Sequence, residues 1–288
     1  MLNSLLGRLL QQLTQRKPEA RAWHEARTEH LRRQVSALAA RDRIRFTFLP
    51  SSETDFIRYF PEDLDLDFRD LLAQGFEFVP RSSGLAGVDL AVITAHGSDI
   101  ATTIWKLREE AGPEMLIAVW LWDNHLLQLN NLRTAIAADF VFPSHNYLSA
   151  YLINPASVAA THVPACACQW TREEASRNFA KAVGRVRSDK LLVNYVDYAF
   201  SWRSELLQKL KAQLAQADVL LMDPDDRSRY FAKTGSERME EWLGYKSTLI
   251  LPVANDLSTR VFDALLAGQV LVVSPRISDF DEVFPPQV

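Results

Sequence analysis

The chain has 288 residues, 48% of them hydrophobic and 24% charged, with a formal net charge of −4. That length allows two domains, or one large one, with ample core, and the composition is that of an ordinary globular protein. An acidic balance argues against a general nucleic-acid binder, which carries a basic excess.

Residues 1–42 carry helical periodicity. Leu5, Leu6, Leu9, Leu10 and Leu13 form a stripe, Pro18 interrupts it, and Trp23, Leu31, Val35 and Leu38 resume it. The segment is locally basic, so it can be read as a peripheral membrane helix or as helices packed on the body or on a partner. Because the basic residues alternate with Glu and Gln, packing is the better reading. No apolar run reaches the length of a membrane span, and the N-terminus lacks a secretory core. The two cysteines, Cys166 and Cys168, stand one residue apart with no second pair for zinc, so a cytoplasmic location is expected.

From Arg43 the pattern changes to short apolar runs separated by helical segments, the rhythm of a parallel sheet. RIRFTFLP (43–50), VDLAVITA (88–95), MLIAVWLW (115–122), DFVFP (139–143) and a short THVPA (161–165) read as strands, and a helix is expected from about Asp99 to Glu110. In open α/β sheets, ligands gather outside the carboxyl ends of the strands. His96-Gly97, Asp123-Asn124-His125 and Ser144-His145-Asn146 fall at three such ends. Polar residues there also cap helices or close turns. Convergence of these groups on a metal is not expected, since no His-x-x-x-His or comparable spacing is present.

Residues 166–188 read as a connector with one helix. KLLVNYV (190–196) then opens a second α/β domain over 189–288, followed by a helix from Tyr198 to Ala215 that contains Arg203, and by the strand DVLLM (218–222). Asp223 and Asp225 imitate an Asp-x-Asp metal motif, but a Pro/Asp-rich turn suits their late position better. No P-loop, dinucleotide glycine motif or nucleophile elbow occurs.

The most informative stretch is Thr248 to Ser274. TLILPV and LVVS are buried-strand runs; Asn255, Asp256 and Ser258 offer caps for the helix TRVFDALLA, and Gly268 stops it. The first-turn N–H groups of such a helix suit a phosphate, Arg260 adds a fork of donors, and Asp263 can accept from a sugar hydroxyl.

This segment, with Arg260, Asp263 and Ala264 to Gly268, resembles the R-x-F-E-A-L-A-x-G stretch of GT-B glycosyltransferases, nearest to the bacterial group of spore-protein-like glycosyl transferases. The likeness is best over residues 245–283. It departs from the family in having Asp263 for the usual glutamate and Asn255 for an acidic residue. The resemblance implies two Rossmann-like domains, an acceptor domain at 43–165 and a nucleotide-sugar donor domain at 189–288. The donor domain is incomplete beside relatives that continue through a further strand and a helix.

The implied activity is transfer of a hexose from a nucleotide sugar to an acceptor hydroxyl, with no metal and no cofactor beyond the donor substrate. The acceptor would be a glycan, a lipid-linked molecule or a protein in cell-envelope polysaccharide assembly. Asn255, Ser258, Arg260 and Asp263 would hold the donor. His96, backed by a glycine that allows close approach, or Asp123 would take the acceptor proton. A non-catalytic GT-B-like module binding a nucleotide sugar, glycan or partner protein is the alternative.

Overall fold

A computed structural model of the chain describes residues 17–50, 69–95, 100–112, 114–121, 128–146, 159–164, 170, 172–196, 201–222 and 233–285. The architecture is α/β, with two separate all-parallel sheets flanked by helices. No helix among the described residues is long and apolar enough to cross a membrane.

The first sheet takes β1 (Ile44–Pro50), β2 (Phe76–Phe78), β3 (Leu90–Ala95), β4 (Leu116–Leu121), β5 (Phe140–Pro143) and β6 (Ala159–Ala160) in the order β2-β1-β3-β4-β5-β6. Helices covering both faces require the central strands to be apolar throughout, and LIAVWL of β4 is buried at all but one position. Ile93, Ile117, Val119, Leu121 and Val141 form the core with Ile100 and Ile104 of helix α3 (Ile100–Ala111). Helix α2 (Arg69–Ala73) precedes β2, and α4 (Gln128–Ala137) precedes β5.

Helix α1 (Lys17–Ala39) starts with Pro18 in its first turn, a position where the missing N–H costs nothing. It is fastened to the body by Arg27, whose guanidinium donates to the carbonyls of Ile136 (2.6 Å) and Ala138 at the end of α4. Those carbonyls are the unsatisfied acceptors of a helix C-terminus, where a cation is favoured.

The second sheet takes β7 (Ser188–Val196), β8 (Ala217–Met222), β9 (Tyr245–Ile250) and β10 (Val270–Val273) in the order β10-β9-β7-β8. Helix α6 (Ser201–Gln213) joins β7 to β8. Helix α7 (Gly235–Leu243) leads into β9, α8 (Thr259–Leu266) joins β9 to β10, and α9 (Phe280–Val283) follows β10. A capping box starts α7: Thr234 Oγ1 accepts from the Glu237 amide at 3.2 Å, and Glu237 accepts from the Thr234 amide at 2.6 Å. Helix α8 ends ahead of Gly268 in the left-handed conformation (φ 64°), as its sequence predicts, and Arg187 donates to the Ala267 and Gly268 carbonyls, both at 2.8 Å.

Helix α5 (Arg172–Ala182), within the expected connector, lies against α7 and α8. Its Ala182 joins Leu192, Trp242, Leu243 and Ala264 in one apolar cluster.

Three elements differ from the sequence expectation. The last strand of the first sheet is Ala159–Ala160 rather than THVPA. The THVPA segment still runs beside β5, because Thr161 and Val163 donate to Val141 and Pro143, and the Val163 carbonyl is taken by the Trp120 indole at 3.0 Å. Strand β2 is only three residues and half-buried, too short for a periodic signal. Strand β9 begins at Tyr245, because its mixed YKS start still pairs with β7 and β10.

Candidate functional site

In the second sheet the chain runs from β7 outward to β8, then returns to the other side of β7 for β9 and β10. The strand order therefore reverses between β7 and β9, and an open α/β sheet has its crevice outside the carboxyl ends at such a point. The residues gathered there come from β7, α6, the loop after β9, and α8.

The β7–β9 ladder runs to the pair Leu192 and Thr248. Beyond it Tyr195 spans the two strands, its hydroxyl donating to the Leu249 carbonyl and accepting from the Leu251 amide, both at 2.8 Å. Burial pushes this phenol above its usual range, against the pull of the Arg260 charge.

The ring of Tyr195 is where two cations rest. The Arg260 guanidinium lies 4.6 Å from the ring centroid and Arg203 of α6 lies 5.0 Å from it. Arg260 also donates to the Asn194 carbonyl at 2.6 Å. A third guanidinium, Arg276, lies 4.9 Å from the ring of Trp202, whose indole donates to the Val253 carbonyl. Among the described residues, no carboxylate lies within ion-pair distance of Arg260, which keeps donors of its fork available at this end of the sheet. Asn194 adds a buried acceptor: its amide nitrogen donates to Glu241 at 3.1 Å, and its Oδ1 has no partner among the described residues.

The loop before α8 is built differently from the expected caps. Asp256 is buried and folds backward, its Oδ1 accepting from the amides of Val253 (2.7 Å) and Ala254 (2.9 Å). Asn255 turns the chain at φ 59°, which Asn tolerates better than most residues, and its carbonyl accepts from the amide and hydroxyl of Ser278. Ser258 occupies the N-cap position, but its side chain makes no capping bond. The expected capping is thus corrected at Ser258, which stands at the N-cap without a capping bond, while Asp256 holds the loop from behind.

Asp263 lies one turn into α8, and its Oδ1 accepts from the Trp170 indole at 2.9 Å. The residue as a whole keeps some solvent contact, yet its carboxyl is enclosed. Burial pushes it up to about 6, opposed first by the Trp170 hydrogen bond and then by the charges of Arg260 and Arg238. The structure brings Arg260, Asp263 and Ser258 together on one end of α8, with Asn255 at the preceding turn.

His96 and Asp123, the expected acceptor-side residues, lie outside the described residues, as do His125, Asp223, Asp225, Cys166 and Cys168. His145 is described and buried at the end of β5, 4.0 Å from Asp279 Oδ2. Tyr195, Trp170 and Asn194 escaped the sequence reading because each sits in an apolar run or a connector, and only the strand order reveals what it touches. Arg203 was visible only as a member of a helix.

No protein-family model matches this chain, and no curated protein matches it.

Proposed function

We propose that the chain binds the diphosphate of a nucleotide sugar at the carboxyl end of its second sheet and transfers the sugar to an acceptor hydroxyl, as a GT-B-type glycosyltransferase would. The observation that carries this reading is Arg260 seated on Tyr195 at the point of strand reversal, beside the start of α8. An anion there would meet oriented N–H groups and a guanidinium already held in place, so little freedom is lost on binding.

When the bond between sugar and diphosphate breaks, negative charge grows on the leaving diphosphate. Preplaced cations and amides at that point lower the barrier. Asp263, positioned through Trp170, would accept from a ribose or sugar hydroxyl. His96 or Asp123 would take the proton of the attacking acceptor hydroxyl, and replacing the true base should slow turnover by about 10²–10⁴-fold with donor affinity retained.

Titration calorimetry with UDP, GDP, TDP and CMP tests the donor site. Binding of at least one of them is expected, and a folded sample that binds none would remove the reading.

One observation favours a second reading, a module that binds such a ligand without catalysis. Asn255, which replaces the family's acidic residue, is accounted for by its left-handed turn and its backbone bonds to Ser278. Nucleotide binding with neither transfer nor slow hydrolysis of any donor would select it.

A further inference from the structure

His162, which follows β6 in the first half, projects toward two carboxylates of the second half. Its Nε2 stands 3.5 Å from Asp279 Oδ2 and 3.3 Å from the Ser144 carbonyl, and its Nδ1 stands 3.3 Å from Glu282 Oε1. With one ligand atom taken from each of His162, Asp279 and Glu282, the three atoms all lie within 4.8 Å of one another. None of these residues belongs to the donor site.

Asp279 is fully buried, with the Asn146 amide donating to its Oδ2 at 3.2 Å and the Ser278 hydroxyl 3.0 Å from its Oδ1. Among the described residues, no lysine or arginine lies within ion-pair distance of it, and its nearest basic groups are the imidazoles of His162 and, at 4.0 Å, His145. A buried carboxylate is costly unless positive charge meets it, and here no ammonium or guanidinium group supplies that charge.

The His162 ring points the same way. A metal-bound imidazole gives the lone pair of one nitrogen to the ion and donates the N–H of the other to a carboxylate or a backbone carbonyl. Oxygens face both nitrogens of His162, so either can take an ion and leave the other with an acceptor.

The spacing suits a small ion. Ligands held about 2.0–2.2 Å from zinc stand about 3.3–3.6 Å apart along a tetrahedral edge. The 3.5 Å between His162 and Asp279 is already such an edge. Glu282 is half-exposed, so its carboxylate can close on the ion without disturbing the core. We propose that His162, Asp279 and Glu282 bind one zinc-class divalent cation, which ties the segment after β6 to the segment after β10. An imidazole among the donors favours zinc or a neighbouring transition metal over calcium and magnesium, which take oxygen ligands. Three protein ligands leave a fourth position for water. The ion offsets the buried Asp279 charge and joins the two halves, so its binding stabilises the folded chain.

Calorimetry with zinc chloride on the full-length chain, first treated with a chelator, reads the site. One equivalent should bind and raise the urea midpoint, and excess magnesium should not displace it. Glu282→Gln removes an exposed ligand and His162→Gln the nitrogen. Each should weaken zinc binding at least about tenfold, since even the outer partners of metal ligands are worth about 10–100-fold in affinity. Cys166→Ser with Cys168→Ser removes the chain's only thiols and should leave the affinity unchanged. Nucleotide binding is measured without added metal, so a failure here leaves the donor reading as it was. A folded native chain that binds no zinc, displacement of zinc by magnesium, unchanged affinity in folded Glu282→Gln, or loss of binding in the cysteine variant would each overturn the proposal.

Discussion

At the amino ends of the strands, cations meet carboxylates. Asp89, just before β3, is paired with Arg41 and accepts from the Arg45 amide at 2.8 Å. Asp139, just before β5, is paired with Arg108 at 2.8 Å and accepts from the Ile117 amide at the same distance. Lys190 and Asp218 repeat the arrangement on the surface of the second sheet. At the carboxyl end of that sheet the guanidiniums of Arg260 and Arg276 lie instead on the rings of Tyr195 and Trp202, and Arg203 shares the Tyr195 ring with Arg260. A carboxylate partner uses up a cation's charge, whereas an aromatic face positions it and leaves a positive field for an incoming anion. The first arrangement joins neighbouring strands, and the second suits a ligand.

The largest effect should come from breaking the amino-end arrangement. Arg108 is mostly buried, and its removal leaves the Asp139 carboxylate buried without its hydrogen-bonded ion-pair partner, with only the more distant charge of Arg27 acting on it. Arg108→Ala should therefore lower unfolding stability by about 3–5 kcal/mol, read by urea denaturation. Nucleotide affinity measured on the remaining folded fraction should not move. A loss of affinity at full stability would mean that the two ends are not separable in this way.

Arg260→Ala should show the opposite balance. Nucleotide binding should weaken by about 1.5–3 kcal/mol, the range for hydrogen bonds to charged groups. Stability should fall by about 1–2 kcal/mol, because the guanidinium also bonds the Asn194 carbonyl and covers the Tyr195 ring. Arg260→Lys keeps the charge but loses the planar fork, so it should restore only part of the binding. Full stability loss with unaltered affinity, measured by calorimetry, would assign Arg260 to the scaffold alone.

What the sequence makes legible follows the same division. The two-sheet architecture and most strands announce themselves, because a strand covered on both faces must be apolar along its length. LAVITA and LIAVWL come close to that requirement in any context, and KLLVNYV keeps an apolar centre at Leu191, Leu192 and Val193. Arg260, Asp263 and Gly268 can also be placed from sequence, since helix geometry fixes their relative positions. Tyr195 cannot be read as part of a site, because its meaning depends on β9 lying next to β7, which no local pattern encodes. The pairing of His162 with Asp279 and Glu282 is hidden for the same reason, being set by how two sheets approach each other. Trp170 is hidden by its position in a segment with no periodicity of its own.

The smallest expected effect sharpens the comparison at a buried carboxylate that accepts from an indole and, among the described residues, has no ion-pair partner. The Asp263 carboxyl is raised from 3.8 to about 6, so the folded state binds its proton more tightly than the unfolded chain does. Stability from this group is therefore present below about pH 4, declines as pH rises from about 4 to 6, and is flat above that. A shift of this size corresponds to about 3 kcal/mol, and the residue's partial solvent contact reduces the expected step to about 1–2 kcal/mol. Asp263→Asn keeps an acceptor for Trp170 but has nothing to ionise, so the variant should lack the decline and exceed the native chain in stability above pH 6 by that amount. Urea midpoints for both proteins across this range decide it. Saturating nucleotide adds a second arm: a ribose hydroxyl donating to Asp263 favours the ionised form, so the native chain's decline should move to lower pH when ligand is bound. If the midpoints of the native chain and Asp263→Asn run parallel with pH, the carboxyl is not the strained group its surroundings imply. Its place in the donor site would then rest on Arg260 alone.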